Sequence, residues 1–165
     1  MEPQIQKILV PVDFSEASER AAAYAAALAR RLGASIHLIH VVESSPLNRR
    51  PYDFEPDTPA VRERLYQEGR AHLIALAARV ASGTRRVSVE VRRGDAVANI
   101  TAAEIDYGAD LVIMSTHGRS GWSHLLLGSV AEQVIRIARC PVLVIRDPVQ
   151  AQLHTAQEVE SLQLA

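Results

Sequence analysis

Residues 7–13 read Lys-Ile-Leu-Val-Pro-Val-Asp, an unbroken apolar run that ends in an acid. A continuous run of this length is typical of a strand covered on both faces in a parallel sheet. The next residues predict a helix from Ala17 to Leu32, because Ser15 is a good N-cap and Gly33 is a good terminator. The stretch therefore predicts the first strand and helix of an α/β protein.

The same alternation of strand and helix continues along the chain. A second strand is predicted at residues 35–42, and a third at residues 86–92, where valine alternates with polar residues as at a half-exposed sheet edge. Unbroken apolar runs at residues 111–114 and 141–145 predict the fourth and fifth strands. The intervening helices are predicted to begin at Pro59, after Asp95 and at Ser129, the first of them ending near Ser82.

Five strands alternating with helices predict a parallel sheet with helices on both faces, a Rossmann-like α/β fold. The order 3-2-1-4-5 leaves the alternating third strand at an edge and covers the apolar first and fourth strands. The chain then reverses direction between strands one and four, where a crevice opens at their carboxyl ends. We expect one domain over residues 1–147 and a tail over residues 148–165.

Composition and charge exclude several classes of protein. The 165 residues are 48% apolar and 22% charged with a net charge of −1, so neither disorder nor a basic surface for nucleic acid or membrane is expected. The single cysteine, Cys140, excludes a disulfide framework and a Cys-rich zinc site, and we expect an inert packed thiol. No signal peptide or membrane span is evident, so a cytoplasmic location is expected.

Two segments should meet at the crevice, residues 11–15 and residues 115–129. The second contains glycines that let the backbone approach a phosphate, and it ends at the free amides of the helix that begins at Ser129. Gly118, Gly121 and Gly128 are also explained by ordinary turns, although their position at the crevice favours ligand binding. Asp13 is either a ligand contact or a helix cap. The loop at residues 43–57 is either a lid or a surface excursion.

Several known sites are excluded. Lys7 is the sole lysine, so a P-loop is impossible, and neither G-x-G-x-x-G after the first strand nor G-x-S-x-G is present. His37 and His40 lie three apart on a predicted strand and should face opposite sides, so a metal pair is not expected. No nucleophile–base pair is apparent, which favours a binding protein over a catalyst.

The chain resembles the universal stress protein family over about residues 5–146. The similarity lies in ILVPVDFSEAS (residues 8–18), IHLIHVV (36–42), RRGDA (92–96) and STHGRSGWSHLLLGSVAEQVIRIARCPVLVIR (115–146). The last block is similar to the Gly-x2-Gly-x9-Gly-Ser/Thr signature of ATP-binding members, with Gly118, nine residues, then Gly128 and Ser129. Ser115 stands where the signature has its first glycine.

The resemblance implies a fold like that of adenine nucleotide alpha hydrolases, and ATP, ADP or AMP as ligand with Mg²⁺ on the phosphates. The residues implied to bind it are Pro11, Val12, Asp13, Val41, Met114, Ser115, His117, Gly118, Arg119, Gly128, Ser129 and Val130.

The resemblance also implies a homodimer, and the exposed apolar edge strand from Pro141 to Ile145 is suited to pairing with a second copy. We expect a nucleotide-binding regulator of stress responses with protein partners. Two alternatives remain: a scaffold or chaperone-like dimer with a vestigial pocket, favoured by Ser115, and a weak ATPase.

Overall fold

A computed structural model describes residues 4–43, 58–116 and 127–146 of the chain. The strands are β1 (Lys7–Pro11), β2 (Ser35–Val42), β3 (Arg86–Arg93), β4 (Leu111–Ser115) and β5 (Val142–Ile145). The helices are α1 (Glu16–Leu32), α2 (Pro59–Val80), α3 (Ala96–Tyr107) and α4 (Ser129–Ile137). The predicted tail at residues 148–165 and nearly all of the predicted loop at residues 43–57 lie outside the described residues.

The five strands form one parallel sheet in the order β3-β2-β1-β4-β5, which confirms the predicted order and the α/β fold. β1 is central, since Ile8 lies beside Ile36 of β2 on one side and Leu111 of β4 on the other. The alternating β3 is at one edge, as predicted, and β5 is at the other. The two strands at whose carboxyl ends the crevice is predicted, β1 and β4, are therefore adjacent in this sheet.

Local signals set the helix limits where the sequence predicts them, with one exception. The hydroxyl of Ser15 accepts a hydrogen bond from the Ser18 amide at the start of α1. Thr58 does the same at α2 and Asp95 at α3. The exception is the end of α2, which stops at Val80 instead of Ser82. The chain leaves the helix early because the Thr84 N–H donates to the Ala81 carbonyl, closing a turn there.

Two apolar cores cover the two faces of the sheet. On one face the small side chains of α1 let that helix approach the strands closely; they are Ala21, Ala22, Ala25, Ala26 and Ala29, all buried. Leu73 and Leu76 of α2 join them. On the other face Val97 and Ile100 of α3 and Val134 of α4 pack on Leu9 of β1. Helices thus lie on both faces, as predicted.

A buried acid joins the end of α3 to the start of β5. The Glu104 side chain is 3% exposed, and its Oε1 accepts hydrogen bonds of 2.7 Å from the backbone N–H groups of Arg139 and Cys140. Both donors lie in the short connection between α4 and β5. The carboxyl group therefore satisfies two amides that would otherwise be left without an acceptor where the connection meets α3.

Candidate functional site

The candidate site is formed where β1 and β4 end side by side. β1 ends at Pro11 and β4 at Ser115, and since the strands are parallel neighbours their following segments leave the same edge of the sheet. The Val12 N–H donates to the Ile39 carbonyl over 2.8 Å, so the chain after β1 stays attached to β2 for one more residue. The crevice is thus bordered by the β1–α1 turn and by the start of α4.

The β1–α1 turn is fixed by hydrogen bonds from Ser15. Oδ1 of Asp13 accepts hydrogen bonds from the Ser15 N–H at 3.0 Å and from its hydroxyl at 2.6 Å. Ser15 itself caps α1, so Asp13 is not the N-cap but holds the capping residue in place. Phe14 between them has a φ of 62°, a left-handed conformation that is uncommon for residues other than glycine. The turn therefore has one defined conformation with the Asp13 carboxyl half-buried beside the crevice.

The start of α4 has the features of an anion site. Gly128 is its N-cap with φ −69° and ψ 151°, and it has no side chain to accept from the first-turn amides. Its own N–H donates to the Thr116 carbonyl over 2.7 Å, and the Thr116 N–H donates to the Ile145 carbonyl over 3.2 Å. The helix start is thereby held against the ends of β4 and β5, with its positive dipole end towards the crevice.

The conformation of Gly128 shows why a glycine matters there. An extended backbone with negative φ is open to any residue, so the turn itself does not require glycine. What glycine supplies is the absence of a side chain over the amides of α4. The sequence could not separate these two reasons, and the geometry favours the second.

The predicted site residues fall into three groups. Val12 and Met114 are buried in the two cores, at 4% and 5% exposure, so their side chains face away from solvent. The remaining described ones lie at or near the crevice, half-buried or exposed except for the buried Ser115; they are Pro11, Asp13, Val41, Ser115, Gly128, Ser129 and Val130. His117, Gly118 and Arg119 lie outside the described residues.

One residue at the crevice is missed by the sequence reading. His40 on β2 is buried, and its Nδ1 lies 2.7 Å from the carbonyl oxygen of Val12. His37 faces the other side of the sheet, as predicted, where it contacts Ser88 and Glu90. The spacing of the two histidines predicts that they lie on opposite faces of the sheet. It does not predict the hydrogen bond of His40, because any residue type can supply a backbone carbonyl.

His37 belongs to a polar network that ties β3 to the rest of the sheet. Its Nδ1 lies 2.8 Å from the Ser88 hydroxyl and its Nε2 lies 3.0 Å from Glu90, which also pairs with Arg92. Burial would raise the pKa of Glu90, but hydrogen bonds from Arg92 and His37 outweigh it and hold that pKa below its usual value. Arg92 in turn reaches Asp106 of α3 at 2.8 Å. The network therefore stabilises the edge strand, on the face opposite His40.

The remaining reactive groups of the described residues offer no second site. Within residues 4–43, 58–116 and 127–146, no group of three or more His, Cys, Asp or Glu side chains could hold a metal ion. Burial and the neighbouring Glu104 raise the pKa of Cys140 to about 12, so at neutral pH its sulfur is an unreactive thiol, as expected. In the same part of the chain, no helix has the length and apolar character needed to cross a membrane.

Comparison with known proteins decides the family. Residues 4–146 match the model of the universal stress protein family, which spans the whole sheet and both sides of the crevice. The chain belongs to the universal stress protein family. Among relatives of this family, universal stress protein MJ0531 of Methanocaldococcus jannaschii is 34% identical over 143 residues, covering 87% of this chain and 83% of the relative.

Solved structures of the family agree with the fold. The structure of MJ0577 from Methanocaldococcus jannaschii has a TM-score of 0.76 at 28% identity and covers 87% of this universal stress protein and 97% of that chain. More distant members have been solved with ligands. One from Archaeoglobus fulgidus is in complex with dAMP, with a TM-score of 0.60, 20% identity and coverage of 86% and 98%. Another is in complex with cAMP at 21% identity. Some members thus bind adenine nucleotides.

Proposed function

We propose that this universal stress protein binds an adenine nucleotide in the crevice between the β1–α1 turn and the start of α4. The observation that carries the proposal is that α4 begins behind a glycine N-cap at the carboxyl edge of the sheet. Within the part of the chain that the structure describes, no side chain caps its first-turn N–H groups, so they can donate to an oxyanion, and the helix dipole favours negative charge there. The complexes of distant relatives with dAMP and cAMP support the same ligand class.

The proposed ligand is ATP, or ADP and AMP as its products, with Mg²⁺ on the phosphates. Because the described residues contain no acidic cluster for a metal, Mg²⁺ would be held mainly by phosphate oxygens and water. Phosphates would lie on the amides of α4 beside Ser129 and Val130, with Gly118, Arg119 and His117 contributing from the preceding segment. Pro11, Val12, Asp13, Val41, Met114 and Ser115 would border the adenosine.

We further propose that the protein acts in the cytoplasm as a nucleotide-dependent regulator with protein partners, and not as a dedicated enzyme. Hydrolysis needs a base with a free oxygen near the phosphates. Oδ1 of Asp13 accepts two hydrogen bonds from Ser15, which orient the carboxyl group and fit a positioning role.

Mass spectrometry of nucleotide released by denaturing freshly purified protein tests the proposal, together with calorimetric titration of ATP and Mg²⁺. We expect an adenine nucleotide in the released fraction and saturable binding of ATP. Finding neither would contradict the proposal and favour the scaffold or chaperone-like dimer. Conversion of added ATP to ADP by the purified protein would favour the weak ATPase.

The outer edge of β5 supports a homodimer as the functional unit. The Val112 N–H donates to the Pro141 carbonyl and the Thr116 N–H to the Ile145 carbonyl, so these two carbonyls point towards β4. Since backbone groups alternate along a strand, those of Val142 and Val144 point away from β4. The described residues place no strand beyond β5, whose apolar side chains are half-buried. Antiparallel pairing with a second copy would use these open groups.

Val144→Pro tests this dimer. Proline removes one outward N–H without taking a hydrogen bond from the β4–β5 pair, so we expect the variant to fold and to elute as a monomer. Light scattering on the eluting peak gives the mass. Val144→Thr keeps both the N–H and the branched shape and should remain a dimer. A Val144→Pro variant with the mass of the dimer would exclude pairing through β5.

A further inference from the structure

His40 is a buried side chain that the proposed nucleotide contacts do not use. It lies on β2 with 9% exposure, and its Nδ1 is 2.7 Å from the carbonyl oxygen of Val12. A carbonyl oxygen only accepts hydrogen bonds, so Nδ1 carries the proton and donates it. The imidazole therefore has a fixed donor position directed at the residue that precedes Asp13.

The ring is held from two other sides. Phe14 lies 4.4 Å from it, centroid to centroid, and His72 of α2 lies 5.1 Å from Phe14. Gly69 of α2 faces the imidazole so closely that a Cβ on it would lie 2.8 Å from His40 Cδ2. Because both ring and helix are buried at this point, neither can shift without moving the other. His40 thus links α2 to the β1–α1 turn.

We propose that His40 is a positioning residue that sets the β1–α1 turn for the nucleotide; this inference rests on the proposed function. Both backbone groups of Val12 are held, its N–H by the Ile39 carbonyl and its carbonyl, which belongs to the peptide bond with Asp13, by His40. Asp13 comes next in the chain, and its carboxyl is oriented by Ser15. Phe14 follows with its left-handed φ, and its ring contacts that of His40.

Loss of the imidazole donor would act on the site indirectly. The Val12 carbonyl would lack this partner in the buried interior, and the peptide would turn to find another. That rotation moves Asp13 and Phe14, which follow it, while α4 and its amides stay where they are. We therefore expect weaker contacts between the β1–α1 turn and the adenosine, while the contacts of the phosphates with α4 stay unchanged.

Variants of His40 test the proposal through the position of the donor. In asparagine the side-chain nitrogen can occupy the place of Nδ1, in glutamine the place of Nε2, and leucine has no donor. We expect calorimetric ATP affinity to fall by about tenfold in His40→Leu and His40→Gln, the loss of one well-placed buried hydrogen bond. His40→Asn should stay within about threefold of the parent protein. Two results would overturn the proposal. One is the same ATP affinity in all three variants, and the other is a loss of affinity that is proportional to the loss of melting temperature.

A substitution on α2 tests the link from outside the site. Gly69→Ala raises helix propensity but places a methyl group against His40. We expect ATP affinity to fall several-fold although position 69 lies on a helix that does not border the crevice. Gln67→Ala, an exposed change on the same helix, is the control and should leave the affinity unchanged. An unchanged affinity in Gly69→Ala would show that His40 does not transmit the displacement.

The two proposals fail in distinguishable ways. If the parent protein binds ATP and His40→Leu, His40→Gln and Gly69→Ala bind it equally tightly, the positioning role is wrong and the nucleotide site stands. If the parent protein does not bind any adenine nucleotide, the site is wrong and the positioning role is rejected with it. A second readout is the NMR signal of the imidazole Nδ1–H, which should shift when ATP is added to the parent protein.

Discussion

Gly128→Asp should weaken ATP binding by about 100-fold or more without lowering the melting temperature. The N-cap conformation of Gly128 suits an aspartate, which is a better N-cap and accepts hydrogen bonds from the amides that follow. The same carboxylate would occupy the place proposed for the phosphate and repel it, and like charges in contact cost several kcal/mol, about 100-fold or more in affinity. Calorimetry gives the affinity and thermal unfolding gives the stability.

The control is Gln133→Glu. It adds the same charge to the same helix one turn later, at an exposed position, and should change ATP affinity by less than about threefold because surface charges are screened. If Gly128→Asp lowers the ATP affinity but not the melting temperature, the loss comes from the carboxylate in the phosphate position and not from damage to the fold. If Gly128→Asp bound ATP as tightly as the parent protein, the phosphates would not lie on α4.

Glu104→Met should lower the free energy of unfolding by about 3 kcal/mol. Methionine has a similar shape but accepts neither the Arg139 nor the Cys140 N–H, and each donor left without a partner in the interior costs about 1–3 kcal/mol. Glu104→Gln retains an acceptor oxygen and should lose only about 1 kcal/mol. Urea titration followed by circular dichroism gives both values.

Glu132→Met is the matched control. Glu132 is exposed on α4 and pairs with Arg136 at 2.7 Å, an i,i+4 ion pair of the kind that contributes only about 0.3–0.5 kcal/mol. A loss in Glu104→Met no larger than in this control would mean that the two amides find other partners. Because those amides begin the connection into β5, Glu104→Met should also loosen the edge proposed for the dimer.

The fold was largely predictable because its signals are local or periodic. The apolar runs at residues 8–10 and 111–114 predict strands covered on both faces, and the alternation at residues 86–92 predicts an edge. These patterns indicate how deeply each strand is buried, and in a parallel sheet the strands buried on both faces are central and a half-exposed strand lies at an edge. The end of α2 was misplaced by two residues because Gly83 looked like the terminator, although the turn closes through the Ala81 carbonyl.

The site was predictable only where a residue type carries the chemistry. Gly128 and Ser129 mark the start of α4, where the anion site is proposed, and this signal needs no partner elsewhere in the chain. Glu104 left a signal that could have been used, since it follows Val97 and Ile100 on the apolar side of α3. His40 left none, because its acceptor is the backbone of Val12.

The reversal of strand order at β1 has a consequence for how the chain acquires its crevice. β1, β2 and β3 are complete by residue 93 and pair in sequence order, whereas β4 must join β1 across most of the chain. Synthesis from the N-terminus can assemble that half before α4 exists. The two borders of the crevice come together only after β4 and the start of α4 have been made, so a nucleotide that binds there would favour chains that have reached this stage and would protect them from unfolding by mass action.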